Sequence, residues 1–332
     1  MTAIEKIGVI GAGAWGTALA AAAVRAGRTV NLWAREEEVA ASINDARENT
    51  RFLPGVALDP GITASVDGGA LGHADLVLMA PPAQHLRAVA AAFNGQLKPA
   101  TPIVICAKGI ELDSGALMSD VAREAMGERP LAILSGPTFA HEVARGLPSA
   151  VTLAGADAGL GEAIAAALGS ATFRPYLSDD MTGAQIGGAL KNVMAIAAGI
   201  AIGRGLGENA RAAIMTRGFA EMVRLAMAKG AKLETLAGLS GLGDLVLTCT
   251  STQSRNFSLG QALGKGELLQ NILGARDSVA EGVTSAAAVA ALGAKLGVDL
   301  PIVDAVDAVL HRDADIGDTI VALLARPFRP EF

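Results

Sequence analysis

Sulfur and aromatic rings are scarce in this 332-residue chain. It has two cysteines, Cys106 and Cys249, with one tyrosine, two tryptophans and eight phenylalanines. The cysteines are far apart and sit in apolar or threonine-rich surroundings, which excludes a disulfide framework and a zinc site. Two reduced thiols in a cytoplasmic protein are the expectation. Aromatics at 3% leave no stacking platform for single-stranded nucleic acid. The four histidines, His73, His85, His141 and His311, are scattered and make no ligand pair at metal spacing, so no metal is expected. His141 stands out because it follows the segment 138–140. The chain also lacks a Gly-x-Ser-x-Gly elbow and a Walker loop. Its net charge of −6 argues against a general nucleic-acid or polybasic membrane surface, and leaves room for a local basic pocket. A spanning helix needs ~20 mostly apolar residues. The best stretch, 193–202, is about half that length and is bounded by Lys191-Asn192 and Arg204. No membrane span is expected, and the first residues show no signal-peptide pattern.

What is abundant is apolar and small. Half of the residues (51%) are hydrophobic and 40 are glycine, which fits a globular chain with a large core. The length predicts two domains. Short apolar runs at Lys6–Ile10, 30–33, Leu76–Met79, 103–106, 131–134 and 151–153 alternate with alanine-rich helical stretches such as 16–26, 84–92 and 114–126. Continuous apolar runs of this kind suit parallel strands buried on both faces. A further strand is expected at 172–176. From Ser178-Asp179-Asp180, a good helix start, strand signals disappear, and 182–202, 209–229, 283–295 and 300–310 read as helices. The expected fold is an α/β N-terminal doubly wound sheet over residues 1–180, followed by an all-α domain over 181–332. The run Arg35-Glu36-Glu37-Glu38 reads as a solvated helix start.

The first strand runs straight into Gly11-Ala12-Gly13-Ala14-Trp15-Gly16 and then a helical run. Gly11 permits a tight turn, Gly13 lets the backbone approach a pyrophosphate, and Gly16 lets helix and strand pack closely. The anion would rest on the helix N-terminus, where free N–H groups and the dipole favour it. This is the Rossmann-type dinucleotide fingerprint. About 20 residues further on, an acid would bind the ribose 2′-hydroxyl of NAD. Arg35 comes first there instead, and a guanidinium suits a 2′-phosphate. The cofactor reading is therefore NADP(H) and/or NAD(H), leaning to NADP.

Further segments carry chemistry. Ala107-Lys108-Gly109-Ile110-Glu111 and Ser135-Gly136-Pro137-Thr138-Phe139-Ala140 each follow a strand, where ligands bind in open α/β sheets. Lys191-Asn192 interrupts an apolar helix, Gly241-Leu242-Gly243-Asp244-Leu245 carries a single acid, and Ser254-Arg255-Asn256 leads into a helix as a plausible phosphate cradle. Together with Gly-x-Gly-x-Trp-Gly-Thr-Ala-Leu-Ala at the start, and in this order, these segments resemble the bacterial NAD(P)-dependent glycerol-3-phosphate dehydrogenases from about residue 6 to 312.

That resemblance implies reversible reduction of dihydroxyacetone phosphate to sn-glycerol 3-phosphate for phospholipid synthesis. It implies Lys191 as the proton donor and acceptor. Lys108, Gly136, Thr138, Lys191, Asp244, Ser254, Arg255 and Asn256 would bind the substrate. Gly11, Gly13, Ala14, Trp15, Gly16, Arg35, Phe52, Lys108, Ala140, Arg255, Val279 and Glu281 would bind the cofactor. Ala14 and Thr138 stand where Ser is common, Phe52 where Tyr is usual, and Ala80-Pro81-Pro82 replaces a typical Val-Pro-Ser. A lysine brought down from ~10.4 toward ~7–8 by an apolar site is a suitable acid for the developing alkoxide. Two other readings remain. A related hydroxyacid dehydrogenase or ketone reductase would bind a carboxylate in place of a phosphate. A non-catalytic NADPH-binding sensor would not need Lys191, Asp244 and residues 254–256 together. The apolar helices are compatible with a homodimer.

Overall fold

The computed structural model describes residues 3–275 and 280–327. Eight strands form one sheet: β1 (Lys6–Ile10), β2 (Thr29–Trp33), β3 (Ile62–Ser65), β4 (Leu76–Met79), β5 (Ile103–Ile105), β6 (Leu131–Ser135), β7 (Ser149–Gly155) and β8 (Phe173–Ser178). Their spatial order is β3-β2-β1-β4-β5-β6-β7-β8. Helices α1 (Ala14–Arg25), α2 (Glu37–Ala41), α3 (Leu86–Asn94), α4 (Met118–Met126), α5 (Ala140–Ala144) and α6 (Ala158–Leu168) lie between the strands. The two faces of the sheet are both covered, as the continuous apolar runs require. Side chains alternate across it: Leu76 and Leu78 join the core beneath α1, whereas Val77 and Met79 join the core beneath α3 and α4.

The strand order reverses between β1 and β4, which pair in parallel with Ile7 opposite Leu76. At such a switch point the loops at the strand ends diverge and leave a crevice. The turn Gly11–Gly16 sits at that end. Gly11 has φ +107°, and a Cβ on Gly16 would lie 1.9 Å from the Gly11 carbonyl oxygen. The strand-to-helix packing therefore excludes any side chain at 16.

Two features differ from the sequence expectation. The short strand β3 carries no continuous apolar run. Strand β7 is antiparallel to β6, with Ile133 opposite Ala154, although β8 returns parallel to β7. The physical reason lies in the helix. The β6–β7 link, residues 136–148, is about as long as the shortest parallel crossovers, but its helix α5 has only five residues, too short to pack back along the sheet as the longer α3, α4 and α6 do. The chain turns over at the sheet's end, which leaves 136–144 beside the crevice.

Beyond β8 the regular elements among the described residues are helices: α7 (Met181–Gly203), α8 (Gly207–Ala228), α9 (Leu233–Ala237), α10 (Asp244–Thr250), α11 (Arg255–Gly264), α12 (Leu269–Gly274), α13 (Glu281–Leu296), α14 (Pro301–His311) and α15 (Ile316–Leu324). Asp180 caps α7 by accepting the Gly183 N–H at 2.8 Å. Helix α7 is long and apolar enough to cross a membrane, yet 83% of its apolar window is buried inside this protein. Its backbone touches α11 closely. A Cβ on Gly199 would lie 2.2 Å from the Phe257 carbonyl oxygen, and one on Gly260 would lie 2.1 Å from that of Ile196. The small residues that make α7 look membrane-like are those that let helices pack around it.

Candidate active site

The site forms where α7 and α10 meet the carboxyl ends of β5 and β6. Lys191 is on α7 and only 8% exposed. Its Nζ donates to Asp244 Oδ1 at 2.8 Å and to the Thr248 hydroxyl at 3.0 Å. Lys108, just past β5, donates to Asp244 Oδ2 at 2.6 Å and to the Gly136 carbonyl at 2.9 Å. Asp244 is fully buried, so one carboxylate bridges two ammonium groups and the junction carries a net positive charge. Burial is the main influence on Lys191 and brings it down to about 8; the charge of Asp244 opposes this and that of Lys108 reinforces it. An ammonium has three N–H groups. Two of those on Lys191 hold Asp244 and Thr248, and the third is the one available to a substrate oxygen.

Thr248 was not expected from the sequence. It lies one turn after Asp244 and its hydroxyl donates to the Asp244 carbonyl at 2.6 Å, so toward Lys191 it acts as acceptor. The i, i+4 spacing from Asp244 was the available signal. Asp244 itself is lifted into place by a tight turn, Leu239–Gly243, that runs directly into α10.

Two expected substrate residues are committed inward. Ser254 Oγ accepts the Phe257 N–H at 3.2 Å and so caps α11. Asn256 donates to Asn192 Oδ1 at 2.9 Å and accepts the Gly282 N–H at 3.0 Å, tying α7, α11 and α13 together. Thr138 donates to the Gly136 carbonyl at 3.2 Å, so both of these residues lie on the Lys108 side of the junction. Arg255, the first residue of α11, is close enough to Glu281 for its charge to favour that carboxylate, although burial dominates and pushes Glu281 up. Glu281, at the start of α13, accepts the Ala83 N–H at 3.1 Å and so clasps the loop after β4.

On the sheet side, α1 opens at Ala14 with Gly13 as its N-cap and no side chain capping it. A Cβ on Gly13 would meet nothing within 4 Å. Uncapped N–H groups facing open space suit the pyrophosphate of a dinucleotide. Trp15 Nε1 is buried with no hydrogen-bond partner among the described residues. Arg35 lies beyond β2 with its side chain 75% exposed and paired to Glu36 at 2.7 Å. Phe52 is half-buried under the Arg51 guanidinium, 5.0 Å above its ring. Ala140 begins α5 and packs on the core beneath α1. Val279 lies outside the described residues. Among the described residues no group of three or more His, Cys, Asp or Glu could hold a metal.

Comparison with known proteins follows the same division. The family model for the N-terminus of NAD-dependent glycerol-3-phosphate dehydrogenase matches residues 6–160, and that for its C-terminus matches 180–321. A glycerol-3-phosphate dehydrogenase [NAD(P)+] of Caulobacter vibrioides is 58% identical over 98% of this chain and 99% of its own. One from Rhodospirillum rubrum is 58% identical over 99% and 94%. The crystal structure of glycerol-3-phosphate dehydrogenase from Coxiella burnetii superposes with a TM-score of 0.94 at 38% identity, covering 97% of this chain and 99% of that one.

Proposed function

Because the chain belongs to the NAD-dependent glycerol-3-phosphate dehydrogenase family, we propose that the Lys191–Asp244–Lys108 junction is where it interconverts dihydroxyacetone phosphate and sn-glycerol 3-phosphate. The chain is an oxidoreductase and uses NAD(P)(H). When bound, the reduced nicotinamide supplies a hydride to C2 of the ketone. Lys191 then gives a proton to the developing alkoxide on the C2 oxygen. Asp244 holds that ammonium in place and keeps it charged, and Thr248 fixes its direction. Lys108 adds a second positive charge beside the same oxygen and the substrate phosphate. In the reverse direction neutral Lys191 takes the hydroxyl proton, and a value of about 8 serves both directions near neutral pH.

The single observation that carries this reading is a buried lysine bonded at 2.8 Å to a buried aspartate whose other oxygen holds a second lysine at 2.6 Å. Arg255, whose planar fork suits two phosphate oxygens, is assigned to the substrate phosphate, with Gly136, Thr138, Ser254 and Asn256 shaping that pocket. Residues 1–180 are assigned to the cofactor and 181–332 to the substrate. Phospholipid-precursor supply in the cytoplasm is the role consistent with the family. A homodimer is proposed on the exposed Val321 and Leu324 of α15, to be settled by sedimentation velocity.

The test follows NADPH and NADH oxidation with dihydroxyacetone phosphate side by side. Lys191→Ala should lower kcat by ~10²–10⁴, the usual range for a general acid, with substrate KM changing far less. Near-native kcat in that variant would overturn the assignment and make Lys108 the acid. Oxidation driven by 2-oxo acids in place of the phosphate would favour a hydroxyacid dehydrogenase.

A further inference from the structure

Asn49 lies in the loop between the helical turn Ser42–Ala46 and β3, far in sequence from every residue assigned above except Phe52. It is fully buried, as is Thr17 on α1. Its amide nitrogen donates to the Ala12 carbonyl at 2.8 Å and to the Thr17 hydroxyl at 2.8 Å. Its Oδ1 accepts the Phe52 N–H at 3.0 Å. The Thr17 hydroxyl also reaches the Ala12 carbonyl, at 3.4 Å. Both amide hydrogens and the amide oxygen are therefore used, in a dry pocket where each lost bond leaves an unpaired buried group.

What these bonds hold matters more than their number. Ala12 stands between Gly11 and Gly13 in the dinucleotide turn. A trans peptide is planar, with its C=O and N–H pointing in opposite directions. Anchoring the Ala12 carbonyl on Asn49 and Thr17 turns the Gly13 N–H of the same peptide the opposite way, at the head of α1, where a Cβ on Gly13 would meet nothing within 4 Å. Flanked by glycines, this peptide has few steric restraints of its own, so an external anchor decides its orientation. At its other end Asn49 closes the turn that carries Phe52: the Leu53 N–H donates to the Asn49 carbonyl at 2.9 Å, and Asn49 and Leu53 form a bridge.

We infer that Asn49 is a positioning residue that locks the pyrophosphate-binding turn to the Phe52 loop, so that the two hold the dinucleotide as one unit. This rests on the reading of the Gly11–Gly16 turn as the cofactor site. Asn49 touches no substrate atom in this scheme. It acts through the direction of the Gly13 N–H and the height of Phe52.

The experiment measures NADPH affinity by calorimetry, steady-state kinetics at saturating NADPH, and thermal melting, on the full chain and on Asn49→Asp, Asn49→Ser and Thr17→Val. Asn49→Asp loses both donors and sets a negative charge under the turn. Its Kd for NADPH should rise roughly 10- to 100-fold, as expected for lost buried hydrogen bonds. Asn49→Ser should fall between that variant and the wild type, and Thr17→Val should raise Kd roughly 3- to 10-fold. In all three, kcat at saturating NADPH and KM for dihydroxyacetone phosphate should stay within about threefold of wild type, the pattern of lost uniform binding. A lower melting temperature with unchanged Kd well below the melt would reduce Asn49 to a structural role and overturn the inference. Should the Asn49 variants fail to fold, Thr17→Val decides, and wild-type affinity there refutes it. If the wild type itself binds neither NADPH nor NADH, the cofactor reading fails instead.

Discussion

Replacing Asp244 by Asn removes one charge from the middle of the junction while keeping its shape. In the native site burial lowers Lys191 and Asp244 pulls it back, with a balance at about 8. An opposite charge in direct contact is worth roughly 1–3 pKa units. Without it, Lys191 should titrate about one to three units lower, centred near 6. The loss of the shared counter-charge also leaves the Lys108 and Lys191 ammonium groups facing each other, which lowers Lys191 further. Ketone reduction requires the protonated form. At pH 7.5 that form is about three quarters of the population for a pKa near 8, and about 3% for one near 6. The reduction rate should therefore fall about 25-fold at pH 7.5 and recover substantially near pH 5.5. The assay is the pH profile of kcat/KM for NADPH-dependent reduction, read at saturating cofactor. In the wild type the rate should fall as pH rises through about 8; in Asp244→Asn the same limb should move to lower pH. Adding Lys108→Met to that variant should move it part of the way back. A limb that stays near 8 while the whole profile drops in height would refute the electrostatic argument and leave Asp244 as a purely geometric support.

Thr248→Val removes the acceptor that aims Lys191 and keeps the packing volume, so kcat should fall about tenfold, in line with one lost hydrogen bond to a charged group, with KM for NADPH unchanged. Arg35→Ala should raise KM for NADPH well above its effect on KM for NADH; equal effects would remove Arg35 as a partner of the 2′-phosphate. Glu221 is buried against the head of α14, accepts the Ile302 N–H at 2.8 Å and the Val303 N–H at 3.2 Å, and is pushed up to about 7 chiefly by burial. A carboxyl raised in the folded state favours folding while protonated, and that contribution is lost as pH rises from its unfolded value near 4.3 through about 7. Denaturant melts of Glu221→Gln should therefore gain on the wild type between pH 5 and pH 8, by on the order of 3 kcal/mol at most; a gap independent of pH would contradict this.

Much of the molecule is written in short-range pattern. The strand Lys6–Ile10, the glycines that follow it and the opening of α1 are neighbours in sequence, and backbone sterics tie each glycine to its role. The end of strand signals at Ser178 and the cap at Asp180 mark the change to helices in the same local way. The order of the motifs carried the family. What tertiary structure alone decided involves partners whose meeting depends on the sheet order and on burial. Asp244 reaches Lys108 across 136 residues and Lys191 across 53, and no spacing expresses that one carboxylate serves both. Ser254 and Asn256 were legible as polar residues at a helix start, but whether such groups face a ligand or the interior depends on the helices packed against them. Asn49 shows the same limit from the other side. A polar residue in a loop reads as solvated, and only the closure of that loop over the glycine turn turns it into a buried clamp. The antiparallel β7 goes with a connection whose helix is only five residues long, and an apolar run carries no strand direction.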